Sequence, residues 1–194
     1  MKKAKIAVLV SGGGTNLQAL LDAEQSGILQ SGEIVLVVSN NPKAYALERV
    51  AKAEVETAVI KGAGFEDALR QLLRDRGIDL IILAGFMRIL SESFTAEWPR
   101  RILNVHPALI PSFCGKGYYG LRVHEAALAR GVKVTGATVH FVNEIPDGGE
   151  IILQKAVDVL PGDTPELLQK RVMEQAEWIL LPQAAELVSK GVLK

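Results

Sequence analysis

An amide and an imidazole stand two positions apart in the segment NVHPALIPSF (104–113), as Asn104 and His106. The apolar residues before them predict a strand, and Pro107 ends it. Side chains two positions apart in a strand share one face, and ligands bind at the carboxyl edge of open parallel sheets. The pattern therefore predicts that both polar groups point into one cleft. The alternative is a buried polar pair whose hydrogen bonds go to the backbone.

A carboxylate that can act with this pair lies in the segment PDGGE (146–150), at Asp147. An aspartate followed by two glycines commonly forms a turn. However, this segment follows a strand directly, in the part of the chain that must return over the sheet edge. A carboxylate there can pair with His106 and keep the imidazole protonated, because a nearby opposite charge favours the charged form. Both roles, turn former and ion-pair partner, remain open from these residues alone.

A glycine-rich segment, SGGGTNL (11–17), follows the first predicted strand and opens a helix. Glycines let the backbone approach an anion closely, and a helix N-terminus offers unpaired N–H groups and a partial positive charge. The segment lacks both the dinucleotide-binding glycine spacing and the Lys-Ser/Thr pair of a P-loop. It predicts either a phosphate site or a tight strand-to-helix turn with Thr15 as the N-cap.

The other histidines and the single cysteine carry weaker signals. His124 lies on a predicted helix, where a surface or packing role is expected. His140 shares a strand face with Thr138, so it can border the cleft. Cys114 has no adjacent base and no second cysteine to pair with, which favours a structural role in a reducing compartment.

Apolar runs alternate with helical patterns through the first half of the chain, which predicts βαβ units in a parallel sheet covered on both faces. The second half adds two strands joined by a turn at 146–149. A C-terminal helix over 163–191 should begin at Asp163 or Thr164, carry Pro165 in its first turn, and kink or split at Pro182. The fold class is α/β, an open doubly wound, mainly parallel sheet with helices on both faces. The predicted strands are 5–10, 33–40, 56–61, 79–86, 101–106, 134–144 and 149–160, and the earlier helices are 15–27, 44–53, 64–77, 91–98 and 121–131.

Length and composition predict one globular domain over 1–194. Lys plus Arg and Asp plus Glu both number 22, so the net charge is zero and no broad basic field exists to attract nucleic acid. No apolar run approaches transmembrane length, and the run 6–10 is too short for a secretion signal. We therefore expect no nucleic acid or membrane partner, and a cytoplasmic location.

Six segments, taken in order, resemble the phosphoribosylglycinamide formyltransferase family of the folate-dependent formyltransferase superfamily. They are SGGGTNL, SNN (39–41), LAGFMRIL (83–90), NVHPALIP (104–111), TGATVHFV (135–142) and DGGEII (147–152). The resemblance spans essentially the whole chain. It implies transfer of the formyl group of 10-formyltetrahydrofolate to the amine of 5-phosphoribosylglycinamide, in de novo purine biosynthesis. The folate is then a co-substrate, no cofactor or metal is expected to be tightly bound, and the protein is expected to be a monomer or homodimer.

The resemblance also implies a role for each segment, with a phosphate-binding half over about 1–100 and a folate and catalytic half over about 101–194. Asn104, His106 and Asp147 form its catalytic trio. Formyl transfer passes through a tetrahedral intermediate whose oxygen becomes negative, so Asn104 donates a neutral N–H and a protonated His106 a charged one. Asp147 is expected to raise the pKa of His106. The implied substrate-binding residues are Gly13, Gly14, Thr15, Asn16, Lys61 and Glu177, and the folate-binding residues are Met87, Arg88, Ile89, Leu90, Val142, Asn143 and Glu144.

The chain departs from the family pattern at three places. Glu150 replaces a proline after DGG, the segment 114–123 replaces a shorter loop, and a one-residue offset puts Glu177-Trp178 where relatives show Glu-His. A methionyl-tRNA formyltransferase should add a C-terminal β-domain and a formyltetrahydrofolate hydrolase a preceding regulatory domain, and neither is expected here. The alternatives are a 10-formyltetrahydrofolate hydrolase, another formyltransferase of the superfamily, or a non-catalytic nucleotide- or folate-binding module. A binding module has no need for the converging trio.

Overall fold

The computed structural model describes residues 2–51 and 53–191. Its strands are β1 Ala4–Val10, β2 Gly32–Ser39, β3 Glu56–Val59, β4 Leu80–Leu83, β5 Ile102–His106, β6 Val134–Phe141 and β7 Ile151–Asp158. Its helices are α1 Thr15–Ser26, α2 Tyr45–Val50, α3 Phe65–Asp75, α4 Glu92–Ala96, α5 Leu121–Arg130, α6 Pro165–Val172 and α7 Trp178–Ser189, with a π turn Met173–Glu177 between the last two. The predicted helix 44–53 and the predicted domain limits 1–194 include residues outside the described ranges.

The strands form one sheet in the order β3-β2-β1-β4-β5-β6-β7. Strands β1 to β5 pair in parallel. Strand β6 runs antiparallel to β5, and β7 runs antiparallel to β6. The predicted fold class, a mainly parallel α/β sheet, is confirmed.

The continuous apolar runs arise because the central strands are buried on both faces. In β1, Ile6, Val8 and Val10 pack into one core, while Ala7 and Leu9 pack into the other. Helices α1, α6 and α7 cover the first face, and α3 and α4 cover the second. The side chains of these central strands are therefore buried on both faces of the sheet. For this reason the strands show continuous apolar runs and not an alternation of apolar and polar residues.

The sheet order brings three loops to one edge. Strands β1, β4 and β5 are neighbours, and Leu9, Leu83 and Asn104 lie side by side in the register. The loops that leave the carboxyl ends of these strands therefore start next to one another. Two strand spacings separate β1 from β5, which is about 10 Å.

Some helix ends lie where the sequence predicts them, and others do not. Gly27, the last residue of the predicted helix 15–27, ends α1 in the left-handed conformation. The N-cap of α1 is Gly14, with φ 72°, and not Thr15. Thr15 is instead the first helical residue, and its hydroxyl faces the Met173 Sδ at 3.8 Å. A positive φ at the cap favours glycine over threonine, which is why the glycine takes this position.

The C-terminal helix is interrupted earlier than predicted. Thr164 caps α6 and Pro165 is its first residue, as expected. Pro182 lies inside α7 without ending it, because it removes a single bond, the one to the Trp178 carbonyl. The interruption is the π turn before Trp178, which inserts one extra residue into a helix. This matches the one-residue offset at Glu177-Trp178.

The connection between β6 and β7 is longer than the predicted four-residue turn, and it occupies residues 142–150. The strands end early because the Asn143 side chain accepts a hydrogen bond from the Ile145 N–H, which starts a turn there. The loop leaves β6 beside the start of β5, where the Val142 N–H donates to the Ile102 carbonyl. Within the described ranges, no helix combines the length and apolar character needed to cross a membrane.

Candidate active site

The pairing of β5 with β6 aligns polar side chains on one sheet face. Asn104 stands opposite His140, and His106 stands opposite Thr138. Residues directly opposite in an antiparallel pair share a face, so the predicted common face is present. Thr138 fixes the segment after β5, since its hydroxyl donates to the Ala108 carbonyl and accepts from the Ile110 N–H.

Asp147 meets this row of side chains with both of its carboxylate oxygens. Oδ1 lies 3.5 Å from the Asn104 Nδ2 and 3.6 Å from the His140 Nε2. Oδ2 lies 3.5 Å from the His106 Nδ1 and accepts a hydrogen bond from the Gly115 N–H at 2.8 Å. The structure thus brings Asn104, His106 and Asp147 together.

A tight backbone turn presents the carboxylate. Asp147 has a φ of 57°, in the left-handed region that aspartate tolerates better than most residues. A Cβ at Gly149 would lie 1.7 Å from the Phe141 carbonyl oxygen, so that position requires glycine. Asp147 is therefore both a turn residue and an electrostatic partner, and the two roles left open by the sequence are both present.

Burial is the largest influence on the pKa of His106. The residue is 4% exposed, and this desolvation lowers the pKa of His106 below its ordinary value. The charge of Asp147 and the Phe113 carbonyl act in the opposite direction but do not outweigh burial. The prediction that the pKa of His106 is raised is therefore wrong. The charge of Asp147 does act to raise this pKa, as predicted, but burial lowers it more.

Asp147 itself is held in the ionised form. Burial raises the pKa of its carboxyl, but His140, the charge of His106 and the Gly115 N–H together lower that pKa below its ordinary value. At the acid pH where a carboxyl titrates, a protonated His106 beside it stabilises the carboxylate.

Both nitrogens of His106 already have neighbours. Nε2 lies 2.8 Å from the Phe113 carbonyl oxygen, which can only accept, so Nε2 carries a proton. Nδ1 faces Asp147. The loop after β5 thus contacts the site twice, through the Phe113 carbonyl and the Gly115 N–H. A substrate oxygen must replace the Phe113 carbonyl to receive the Nε2 proton.

The glycine loop after β1 is held from one side. The carbonyls of Ser11, Gly12 and Gly13 accept hydrogen bonds from three donors of the β2–α2 region. The donors are the Asn41 side chain at 3.3 Å, the Ala46 N–H at 3.0 Å and the Arg49 Nε at 2.7 Å.

This arrangement fixes the direction of the amide groups. In a trans peptide the C=O and the following N–H point in opposite directions. The N–H groups of Gly12, Gly13 and Gly14 therefore point away from α2. The first helical hydrogen bond of α1 runs from the Gln18 N–H to the Gly14 carbonyl, so the N–H groups just before Gln18 have no partner within the helix. Together they form a concave set of donors suited to an anion.

Asn16 and Glu177 form a buried pair beside this loop. The Asn16 Nδ2 donates to the Glu177 Oε2 at 2.8 Å. Burial raises the pKa of Glu177 to about 7, although the Asn16 hydrogen bond lowers it. The π turn aims Glu177 at the start of α1. Lys61 is exposed after β3, and within the described residues no hydrogen bond or ion pair joins it to the glycine loop.

The predicted folate segments flank the trio. Met87 and Ile89 expose 56% and 73% of their surface, whereas Leu90 is buried in the core. The Arg88 guanidinium stacks on the Phe65 ring at 4.5 Å, turned toward α3. The Met87 N–H donates to the Ser11 hydroxyl at 2.8 Å, which ties this segment to the glycine loop.

Of two cavities in the structure, one borders the second folate segment and the other does not. One of about 370 Å³ is bordered by Val142, Asn143 and Glu144 together with Glu92 and Thr95 of α4. A larger, mainly apolar cavity of about 480 Å³ lies between α1 and α7 and does not include the trio. Because Asn104, His106 and Asp147 border neither cavity, side-chain chemistry and not cavity size identifies the site.

The remaining candidates are structural. His124 is fully buried, so the surface role is wrong and the packing role holds. Burial and the charge of His106 lower the pKa of His124 to about 4. Burial and Asp147 raise the pKa of the Cys114 thiol, which disfavours the nucleophilic thiolate.

The sequence did not reveal the support of the glycine loop or the full role of His140. Arg49 and Ala46 hold the glycine loop, and a helical pattern alone does not show that α2 packs against that loop. His140 was placed at the border of the cleft, but it contacts both Asn104 and Asp147. Its period-two spacing from Thr138 was the available signal.

Comparison with known proteins gives the family of the chain. A model described as formyl transferase matches residues 4–184. Phosphoribosylglycinamide formyltransferase of Haemophilus influenzae is 40% identical over 98% of this chain and 89% of its own. The chain is 45% identical over its full length to the trifunctional purine biosynthetic protein adenosine-3 of Bos taurus, of which it spans 19%. The crystal structure of glycinamide ribonucleotide transformylase 1 from Symbiobacterium toebii superposes with a TM-score of 0.90 at 42% identity, covering 97% of this chain and 89% of that one. The chain belongs to the formyl transferase family.

Proposed function

We propose that this protein transfers the formyl group of 10-formyltetrahydrofolate to the amine of 5-phosphoribosylglycinamide, in purine biosynthesis. The observation that carries the proposal is the convergence of Asn104, His106 and Asp147 on one sheet face. The names of the Haemophilus and Symbiobacterium relatives support this acceptor. The chain acts as a single domain, with the phosphate in its N-terminal half and the folate and the chemistry in its C-terminal half.

The reaction needs donors for a transient oxyanion. The substrate amine attacks the formyl carbon, and the carbonyl electron pair moves onto the oxygen. The Asn104 amide and the His106 Nε2–H donate to that oxygen, the latter after the substrate displaces the Phe113 carbonyl. The intermediate collapses with cleavage of the bond to the folate nitrogen. The amine loses one proton and the folate nitrogen gains one, so the products are the formamide and tetrahydrofolate.

The two substrates occupy opposite sides of the trio. The N–H groups of the glycine loop, from Gly12 to Asn16, bind the phosphate at the start of α1. The ribose spans the roughly 10 Å from β1 to β5, with Glu177 beside it. Arg49 supports the loop from behind, and Lys61 stays a predicted contact of the substrate.

The folate lies between the segment 87–90 and the loop 142–150. The Arg88 side chain is engaged with Phe65, so main-chain groups near Leu90 recognise the pterin. The cavity beside Val142 and Asn143 supports the loop side of this placement, and its wall combines apolar residues with charged side chains such as Arg100 and Glu144.

A two-substrate assay tests the proposed reaction. We expect deformylation of 10-formyltetrahydrofolate only when the ribonucleotide amine is present. Asn104→Ala and His106→Ala should each lower kcat by up to about a thousandfold with KM largely kept, because each removes one oxyanion donor. Equal deformylation without the amine would identify a hydrolase, and no turnover under either condition would identify a binding module.

A second prediction concerns the phosphate loop. A Cβ at Gly13 meets no atom within 4 Å, whereas one at Gly14 would lie 2.6 Å from the Ala46 Cβ. Gly13→Val should therefore raise KM for the phosphorylated amine with little effect on the folate KM or on thermal stability. Gly14→Val is the contrasting variant and should lower the melting temperature, because the loop can no longer pack on α2. Equal increases in both KM values for Gly13→Val would contradict the assignment.

The charge of His106 gives a third prediction. Titration by NMR should find its pKa below the ordinary 6.5 in the wild type. In Asp147→Asn the pKa should fall further, because the contribution that raises it is removed. His124 serves as the internal control, since its lowered pKa arises mainly from burial. An unchanged His106 pKa in Asp147→Asn would show that the carboxylate does not influence this ring.

A further inference from the structure

The hydrogen bonds of His140 determine which ring nitrogen carries the proton. Nδ1 lies 2.7 Å from the Phe141 carbonyl oxygen, which can only accept a hydrogen bond. The ring is 2% exposed, so this contact is shielded from water. In the neutral ring Nδ1 is therefore the N–H, and Nε2 presents a lone pair.

This lone pair faces the Asn104 amide. The His140 Nε2 lies 3.1 Å from the Asn104 Nδ2, with a carboxylate oxygen of Asp147 at 3.6 Å. The amide N–H can donate to the lone pair. If the amide were turned over, its oxygen would face the lone pair and the Asp147 carboxylate, and both contacts would be repulsive. The electrostatics thus select one of the two amide orientations.

The selected orientation leaves one N–H of Asn104 available. The first N–H is engaged with His140, and the second reaches the Asp147 Oδ1 only at 3.5 Å, a long hydrogen bond. Thr138, the other polar residue on this part of β6, is occupied by Ala108 and Ile110. His140 is therefore the group that orients the amide, and Asp147 holds the second N–H only weakly.

We propose that His140 is a positioning residue for formyl transfer: its Nε2 accepts one N–H of Asn104 and aims the other at the forming oxyanion. The role rests on the proposed function, because it requires Asn104 to be an oxyanion donor. A register shift in the β6–β7 pairing falls between Val139 and His140. Such irregularities commonly redirect a side chain, and this one lies where His140 turns toward Asn104.

The first test needs no variant of the site. Histidine nitrogen NMR at pH 8, above the ordinary histidine pKa of about 6.5, distinguishes the two neutral tautomers. With three histidines in the chain, the signals can be assigned by single substitution. We expect a protonated Nδ1 and an unprotonated Nε2 at His140. A proton on Nε2 would overturn the proposal, because that nitrogen could not accept from Asn104.

The second test separates positioning from simple packing. His140→Phe, which keeps a ring without an acceptor, should lower kcat about tenfold to a hundredfold with KM kept, at or below the loss of a full donor. Asn104→Ala should lower kcat much less in the His140→Phe variant than in the wild type, because His140 acts through that amide. His140→Gln is the matched control, and its carbonyl oxygen should restore part of kcat. Independent, multiplicative effects of the two substitutions would overturn the proposal.

The two tests distinguish this proposal from the proposed function. The tautomer is measured without substrate, so it does not depend on the identity of the formyl acceptor. Amine-dependent turnover with a proton on Nε2 would reject the role of His140 and leave the reaction standing. The expected tautomer without amine-dependent turnover would keep the contact between His140 and Asn104 and reject the reaction.

Discussion

The structure of the site depends on one largely buried carboxylate, that of Asp147. Its side chain is 13% exposed, and four groups from three parts of the chain surround its oxygens. They are the imidazoles of His106 and His140, the amide of Asn104 and the Gly115 N–H. A buried negative charge is tolerated only when it is paired and hydrogen-bonded. The Gly115 N–H and the Asn104 amide are therefore constrained in orientation by the need to stabilise that charge.

The fold creates this arrangement by reversing strand direction next to its parallel core. Strand β6 runs antiparallel to β5, so His140 stands beside Asn104. The loop 142–150 then starts beside Ile102 and folds back over the same face. A parallel strand in the place of β6 would end beside the carboxyl end of β5, so the loop 142–150 could not start beside Ile102. The glycine loop belongs to the other half of the sheet, and the Met87–Ser11 hydrogen bond joins the two regions.

The parallel strands and the shared face of Asn104 and His106 could be predicted from the sequence, because local sequence rules and tertiary packing agree at these places. Continuous apolar runs indicated the parallel strands, and the spacing of Asn104 from His106 indicated a shared face. The sign of the His106 pKa shift could not be read in this way, because it depends on the balance between burial and a charge located 3.5 Å away. The support of the glycine loop by Arg49 was also missed, since it depends on how α2 packs and not on any pattern in α2. The only sign of the π turn in the sequence was the one-residue offset at Glu177-Trp178.

The charge state of Asp147 is the central claim. A carboxyl whose pKa is lower in the folded than in the unfolded protein stabilises the fold above its ordinary pKa of 3.8, and that stability is lost as the pH falls through the folded value. Carbon NMR of the Asp147 carboxyl across the acid range measures this directly. The structure predicts a midpoint below 3.8, with the carboxylate ionised throughout the neutral range. A midpoint at or above 3.8 would show that the surrounding imidazoles, amide and N–H do not stabilise the charge, and would contradict this account of the site.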